Sequence, residues 1–241
     1  MSRYSRQQIL PEIGAHGQTM LADAHVGIIG LGGLGSAAAL YLAAAGIGRL
    51  SLVDGDRVEL SNLQRQIIHD EARIGDNKAR SAAQSITALN SDIRIDVHAE
   101  RADENALHQL AADCDLMLDC SDNFPTRHAL NRACLAHRRQ LVSGAAIRFE
   151  GQVFTAQPGT SDSPCYACLF GEAGEISETC ENAGVLGPLV GVIGSLQALE
   201  AIRLLTGQGL LGQLQIFDAR HSNWRKWQVP RDPDCPVCGP H

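Results

Sequence analysis

Glycines near the start of the chain have the spacing of a phosphate-binding turn. Gly30, Gly32 and Gly35 form a G-x-G-x-x-G pattern, with Gly33 inside it, between an apolar run and an alanine-rich stretch. This order predicts a strand, a tight turn and a helix N-terminus, where N–H groups and about half a positive charge attract phosphate. Asp54 ends the next apolar segment and suits a ribose hydroxyl. The pattern predicts a nucleotide site and leaves NAD and ATP both open.

Polar side chains further along favour a triphosphate as the ligand. Asn62, Gln64 and Arg65 stand within four residues of one another, and the forked Arg65 guanidinium can grip phosphate oxygens. Lys78 begins a predicted helix, where the helix dipole disfavours a cation, so a phosphate role is favoured over a solvated surface role. A dinucleotide used in hydride transfer does not need this many cations, whereas a triphosphate does.

Four cysteines form two C-x-x-C pairs, Cys165 with Cys168 and Cys235 with Cys238. A two-residue gap lets both thiolates of a pair reach one ion, and two pairs complete the tetrahedral sulfur site of structural zinc. Because the protein fills all four coordination positions, this zinc is expected not to be catalytic. A redox dithiol and inert thiols are the alternatives.

A carboxylate and a thiol have more than one interpretation. Asp122, followed by Asn123, comes two residues after a short apolar strand, at the expected ligand edge of the sheet. It could bind Mg²⁺ that bridges phosphates, or it could cap the next helix. Cys180 belongs to neither cysteine pair and is either a mobile nucleophile or an incidental residue.

The composition excludes several classes of protein. The net charge of −7 argues against general nucleic-acid binding. No apolar run is long enough to predict a membrane span, and the N-terminus lacks a signal-peptide core. A cytoplasmic protein is therefore expected, and there the 8 cysteines indicate metal binding or catalysis before disulfides.

Strands and helices alternate over the first part of the chain, which predicts an α/β fold with a mostly parallel, Rossmann-like sheet and helices on both faces. The predicted helices cover 15–22, 34–46, 76–89, 103–112, 124–137 and 189–205, and the predicted strands cover 25–30, 49–54, 93–98, 115–120, 141–144, 148–154, 214–218 and 224–229. The strands after residue 146 are expected to be antiparallel. Residues 157–185 are predicted to form a long loop, and the helix 189–205 is expected to be buried all round. Residues 1–241 are expected to form one domain, with a nucleotide-binding core at about 20–145 and a carrier-binding and zinc region at about 146–241.

Taken together, these motifs resemble the MoeB/ThiF family, the bacterial relatives of ubiquitin-activating enzymes. The resemblance extends from the N-terminal Tyr-Ser-Arg-Gln to the second cysteine pair. It implies an adenylyltransferase that binds ATP and Mg²⁺ together with a small β-grasp sulfur-carrier protein ending in Gly-Gly. The carrier carboxylate attacks the α-phosphate and pyrophosphate leaves. A separate sulfur donor protein is expected to complete the pathway.

The resemblance also implies roles for individual residues. Gly33 and its loop cradle the phosphates, Asp54 holds the ribose, and Asp122 binds Mg²⁺. The triphosphate is neutralised by Asn62, Arg65 and Lys78.

Other implied features concern the assembly and the pathway. Arg6 matches a family arginine that reaches the nucleotide of the partner subunit, which implies a homodimer. Cys180 falls where some members carry a cysteine that links to the carrier. Residues 141–152 look more like the molybdopterin branch and residues 217–225 more like the thiamine branch, and the molybdopterin branch is preferred. An NAD-dependent oxidoreductase and a non-catalytic carrier-binding scaffold are the competing hypotheses.

Overall fold

The computed structural model describes residues 3–160, 163–171 and 183–239. Its eight strands form one sheet in the order β3-β2-β1-β4-β5-β6-β7-β8. The first five strands run parallel, and β6, β7 and β8 continue the sheet in antiparallel pairs. Their bounds are β1 His25–Ile29, β2 Arg49–Val53, β3 Arg94–His98, β4 Leu116–Asp119, β5 Gln140–Ile147, β6 Glu150–Ala156, β7 Gln213–Asp218 and β8 Asn223–Gln228.

Helices cover both faces of this sheet, as predicted for the fold class. The helices are α1 Ser5–Gln8, α2 Gly14–Asp23, α3 Gly33–Ala45, α4 Lys78–Leu89, α5 Glu104–Asp113, α6 Phe124–His137, α7 Tyr166–Phe170 and α8 Gly187–Leu205. Alternate side chains of one strand enter two different cores, because successive strand residues point to opposite faces. Leu116 and Leu118 pack with α2, α3, α4 and α8, whereas Met117 packs with α5 and α6.

Two short helices depart from the predictions. α1 was not predicted, because four residues are too few to show a helical period; it is anchored by Gln7, whose Nε2 donates to the carbonyl of Ala45 at the end of α3. The predicted loop 157–185 was wrong at α7, which begins at Tyr166 directly after Cys165. A five-residue helix next to a cysteine pair has too little periodicity to be read from sequence.

Helix α8 was expected to be buried all round, and this was wrong for one face. It packs against α3, β5 and β6 through Leu189, Val190 and Ile193, but Val192 is 40% exposed and Leu199 is 52% exposed. By length and composition alone α8 could cross a membrane. Half of it is buried against the rest of the protein, as in a core helix with one exposed side.

Candidate functional site

The ends of three parallel strands meet at one edge of the sheet. Ile29 at the end of β1 pairs with Val53 at the end of β2 and with Asp119 at the end of β4. The Gly30 N–H donates to the Val53 carbonyl at 2.9 Å, and the Cys120 N–H donates to the Ile29 carbonyl at 2.9 Å. The glycine turn and the segments that follow β2 and β4 are therefore neighbours, at the edge where ligands of such sheets bind.

The glycine turn is too crowded for side chains except on its open side. Gly30 has φ +93°, and a Cβ on Gly35 would lie 2.0 Å from the Gly30 carbonyl oxygen. A Cβ on Gly33 would lie 2.6 Å from a methyl carbon of Val190. At Gly32 the nearest atom would be Gln66 Nε2 at 3.6 Å, and no side chain caps α3 there. The first-turn N–H groups of α3 are thus left for a ligand, as a phosphate site requires.

Asp54 is fixed by backbone N–H groups and keeps capacity for a ligand. Its Oδ2 accepts the Leu31 N–H at 2.8 Å, and its Oδ1 accepts the Asp56 N–H at 2.8 Å. Burial raises the pKa of Asp54, and these two hydrogen bonds act against that shift. A carboxylate has about four lone pairs, so about two remain to accept ribose hydroxyls.

Lys78 lies beside the same loop and is held by a residue that the sequence analysis missed. Lys78 is 8% exposed, and its Nζ lies 3.4 Å from Oδ2 of Asp56. The other carboxylate oxygen of Asp56 contacts Arg101. Burial alone would raise the pKa of Asp56, but the contacts with Arg101 and Lys78 outweigh it and lower the pKa. Asp56 therefore stays ionised and orients the ammonium group; its position two residues after Asp54 was the available signal.

Asn77 is a second missed residue. Its Oδ1 accepts the Arg80 N–H and caps α4, while its Nδ2 donates to the carbonyl of Asp54 at 2.8 Å and faces that of Ala99 at 3.2 Å. This side chain joins the segments that follow β2 and β3 and sets the start of the helix that carries Lys78. An asparagine before a helix is a recognisable cap, but its bonds to the two strand ends could not be read from sequence.

The predicted phosphate segment folds back onto itself and onto α8. Asn62 Oδ1 accepts the Glu59 N–H at 3.3 Å, and Arg65 Nη1 donates to the Ser61 carbonyl at 3.1 Å. Gln64 is exposed, and its carbonyl lies so close to Gly187 that a Cβ there would be 2.5 Å away. Arg65 is half-buried, so part of its guanidinium remains accessible to a ligand.

Gln66 and His69 attach this segment to the glycine turn. Gln66 is 4% exposed and its Oε1 has no hydrogen-bond partner among the described residues. His69 lies between the Leu31 carbonyl, 3.0 Å from Nε2, and Ser81 Oγ, 2.8 Å from Nδ1. Burial, with Lys78 nearby, lowers the pKa of His69 to about 4, so its ring is neutral at pH 7. An orphaned amide beside the open side of the turn is what a site built for a polar ligand would contain.

For Asp122 the sequence left two functions open, binding of Mg²⁺ and capping of the next helix. Asn123 Oδ1 accepts the Thr126 N–H at 2.9 Å and caps α6, so Asp122 is not the cap. Asp122 is exposed and its Oδ1 accepts a hydrogen bond from Asn123 Nδ2 at 3.3 Å. Asp119, by contrast, is 1% exposed and bound to its neighbours. Of the two carboxylates that follow β4 or end it, that of Asp122 is the one accessible to a cation.

One sequence-predicted residue is not brought to this edge of the sheet, and another lies outside the described residues. Arg6 is exposed on α1, which is anchored at the C-terminal end of α3, whereas the glycine turn is at the N-terminal end. Those ends are about 20 Å apart at 1.5 Å per residue, farther than an arginine side chain can span. Cys180 lies outside the described residues.

The four predicted cysteines form one cluster at the other side of α6. All four Sγ atoms lie within 4.8 Å of one another, with 3.7 Å between Cys165 and Cys235 and 3.4 Å between Cys168 and Cys238. A tetrahedral Zn²⁺ with bonds of about 2.3 Å needs sulfur–sulfur distances of about 3.8 Å. These spacings fit one metal ion and are far too long for disulfide bonds.

A buried amide beside the cluster also fits a metal site. Asn131 Nδ2 is buried without a well-formed hydrogen bond, and it faces the Cys165 thiol. Burial raises the pKa of this thiol, and the Asn131 amide opposes that shift. A metal-bound thiolate would be a better acceptor for this N–H group than a neutral thiol.

Comparison with known proteins gives the same family for nearly the whole chain. The ThiF family profile matches residues 4–237. Molybdopterin-synthase adenylyltransferase of Escherichia coli (strain K12) is 49% identical over 243 residues, which cover 99% of this chain and 96% of that protein. Sulfur carrier protein ThiS adenylyltransferase of the same strain is 46% identical over 238 residues, which cover 98% of this chain and 94% of that protein.

A solved structure shares the fold. The crystal structure of E. coli MccB with MccA-N7isoASN superposes with a TM-score of 0.87 and 24% identity, over 99% of this chain and 75% of that one. The family profile and the two relatives agree over almost all of the sequence, and the chain belongs to the ThiF family.

Proposed function

We propose that this protein is an ATP-dependent adenylyltransferase that activates the C-terminal Gly-Gly carboxylate of a small β-grasp sulfur-carrier protein. The observation that carries the proposal is the meeting, at one edge of the sheet, of a phosphate-binding turn, a buried lysine and an exposed carboxylate. Both relatives are named as adenylyltransferases, which favours ATP over NAD.

The residues at this edge suit an ATP molecule bound with Mg²⁺. The N–H groups at the start of α3 bind phosphate oxygens, Asp54 accepts the ribose hydroxyls, and Asp122 holds Mg²⁺. Lys78 and Arg65 neutralise the phosphates, with Asn62, Gln64 and Asn123 beside them. The carrier carboxylate forms a bond to the α-phosphorus while the bond to the leaving pyrophosphate breaks. Positioning and charge neutralisation therefore carry the step, and no protein nucleophile is needed in it.

The cysteine cluster is proposed to hold a structural Zn²⁺. Cys165, Cys168, Cys235 and Cys238 supply all four ligands, so no position is left open for a substrate or water. When bound, this ion joins the segment before α7 to the C-terminal segment of the chain. The wide thiol spacing agrees with a reducing compartment, and we propose that the protein works in the cytoplasm.

A homodimer would explain the position of Arg6. This residue cannot reach the glycine turn of its own chain, so a phosphate contact has to be made in a partner subunit. An apolar groove of about 370 Å³ lies close to α1, between α3 and α8. Tyr41, 60% exposed, and Leu199, 52% exposed, line it. A second copy of the chain seated on this face would bury both side chains and bring two copies of α1 close to the shared interface.

We propose molybdopterin biosynthesis as the pathway and activation of a thiamine sulfur carrier as the alternative. The relatives support both branches almost equally, at 49% and 46% identity. A separate protein would donate the sulfur. A covalent link between Cys180 and the carrier remains a proposal, and full thiocarboxylate formation by Cys180→Ala would contradict it.

The test is ATP–pyrophosphate exchange with two purified carriers, the small subunit of molybdopterin synthase and the thiamine sulfur carrier. Exchange that depends on one carrier establishes adenylation and identifies the branch. A carrier truncated by its two terminal glycines is the control, since its new terminal carboxylate ends two residues short of the reacting position. ATP binding without exchange by either carrier would contradict the proposal and favour a carrier-binding scaffold.

A further inference from the structure

A buried arginine holds the segment that carries Asp122. Arg127, 6% exposed, lies on α6, with its Nη1 3.3 Å from Asp119 Oδ2 and its Nη2 donating to the Ser121 carbonyl at 2.5 Å. Asp119 Oδ1 in turn accepts the N–H of Ser121 at 3.1 Å and its hydroxyl at 2.6 Å. The residue directly before Asp122 is therefore fixed at its N–H, its hydroxyl and its carbonyl by one buried ion pair.

Helix α6 also contacts the segment that carries the first cysteine pair. Arg127 and Asn131 are four residues apart on α6 and share a face. Asn131 Oδ1 accepts the N–H of Tyr166 at 2.8 Å, and the Arg127 guanidinium near the Tyr166 hydroxyl opposes the rise in the pKa of Tyr166 that burial causes. Tyr166 is 2% exposed and directly follows Cys165. The backbone of this tyrosine is thus attached to α6, and its hydroxyl lies near the arginine on the same face of that helix.

These contacts form a continuous path from the cysteine cluster to the nucleotide edge. The path runs from Cys165 through Tyr166 to Arg127 and on to Ser121, which precedes Asp122. The first link is the peptide bond from Cys165 to Tyr166. The others are buried polar contacts, and their loss would leave charged or polar groups without compensation, so the arrangement is stiff. α6 adds a second link, because it is capped by Asn123 beside Asp122 and reaches the cluster at Asn131.

We propose that Tyr166 and Arg127 are positioning residues that couple the cysteine cluster to Asp122, so that metal binding there and Mg²⁺–ATP binding strengthen each other. The inference rests on the proposed function of the nucleotide site. Coupling of this kind is reciprocal, because each ligand changes the affinity for the other by the same factor.

The experiment measures zinc affinity by equilibrium competition with a zinc-binding dye, with and without a non-hydrolysable ATP analogue plus Mg²⁺. Mg²⁺ without nucleotide is a further arm. In the wild-type protein the analogue is expected to tighten zinc binding by about fivefold, the lower end of ordinary coupling between sites. In Tyr166→Phe, which removes one hydroxyl and keeps the ring, the factor should fall below the wild-type value, because only the link through Asn131 remains. The analogue should bind more weakly by the amount lost.

The control is Thr155→Val, which also removes a buried hydroxyl bond, from Thr155 Oγ1 to the Leu210 carbonyl at 2.6 Å. This residue on β6 lies outside the path, so the variant should lose stability and keep the coupling. The inference would be overturned if Tyr166→Phe and the wild-type protein had the same coupling factor. It would also be overturned if the analogue bound the wild-type protein without changing its zinc affinity. Either result leaves the proposed function standing. Failure of the analogue to bind the wild-type protein would contradict the proposed function, and the inference with it.

Discussion

Neighbouring residues at the ligand edge of the sheet perform separate tasks because their side chains have different partners. Asn123 bonds back to the backbone and caps α6, and this leaves the Asp122 carboxylate exposed beside the glycine turn. Asp54 and Asp56 show the same division, since one is fixed by N–H groups and the other orients Lys78. Each functional group is thus held by a neighbour that does not itself meet the ligand.

Asp122→Ala tests the proposed metal role. The variant should lower the rate of pyrophosphate exchange by a factor on the order of a hundred or more, because the Mg²⁺ ion that neutralises the phosphates would no longer be held. Its fold should be unchanged, since the carboxylate is exposed. Asp92→Ala is the matched control, an exposed aspartate at the opposite edge of the sheet, before β3. Unchanged turnover in Asp122→Ala would remove the residue from the site.

His69 makes stability depend on pH. Its pKa is lowered to about 4 in the folded protein, so between pH 6.5 and 4 the unfolded chain takes up a proton that the folded one refuses. The stability that His69 contributes is present above pH 6.5 and is lost as the pH falls towards 4, by about 2 kcal/mol after solvent screening. Urea unfolding of wild type and His69→Gln should therefore differ less at pH 4.5 than at pH 7. A difference for His69→Gln that stays constant between pH 7 and pH 4.5 would contradict the argument.

At the level of elements, α3 and α6 both begin at the ligand edge, and each is supported from behind. α3 starts at the glycine turn and packs along α8, where a Cβ on Gly194 would lie 2.2 Å from the Leu34 carbonyl oxygen. α6 starts beside Asp122 and packs on α7 and the cysteine cluster. The short α7 has too few residues to be stable alone, so its position depends on the cluster and on α6.

Removal of one ligand should empty the cysteine cluster and loosen these elements. Cys238→Ala is expected to lose one zinc per chain and to melt several degrees lower, because the C-terminal segment is then no longer tied to α7. Metal analysis and thermal unfolding measure the two effects. Cys134→Ala, which removes a buried thiol outside the cluster, should keep its zinc. Full zinc content in Cys238→Ala would contradict the four-cysteine site.

For the whole molecule, the separation of Arg6 from its own glycine turn allows the proposed homodimer to be tested through its activity. Arg6→Ala and Lys78→Ala should each be inactive alone. When the two variants are mixed and allowed to exchange subunits, activity should return to roughly a quarter of the wild-type value, since about half of the dimers are mixed and each has one intact site. No recovery, with mixed dimers shown by mass spectrometry, would contradict action across the interface.

Much of the sheet could be predicted from local patterns, and so could the candidate nucleotide site, whose binding role stays a prediction. The strand–glycine–helix order around Gly30, the terminal position of Asp54 and the spacing of the cysteine pairs each rest on a few adjacent residues, because turn geometry and metal ligation are short-range requirements. These patterns placed the parallel strands and the antiparallel end of the sheet correctly, and the cysteines indeed form one cluster.

Contacts between distant segments followed from the folded arrangement of the chain. Asp56 meets Lys78, Gln66 lies against Gly32, and Tyr166 reaches Arg127, and no local period or spacing encodes these pairs. The open face of α8 had the same cause, because an apolar helix shows its exposed side only when its neighbours are known. Short-range geometry is written in adjacent residues, whereas burial and long-range pairing depend on where the whole chain packs.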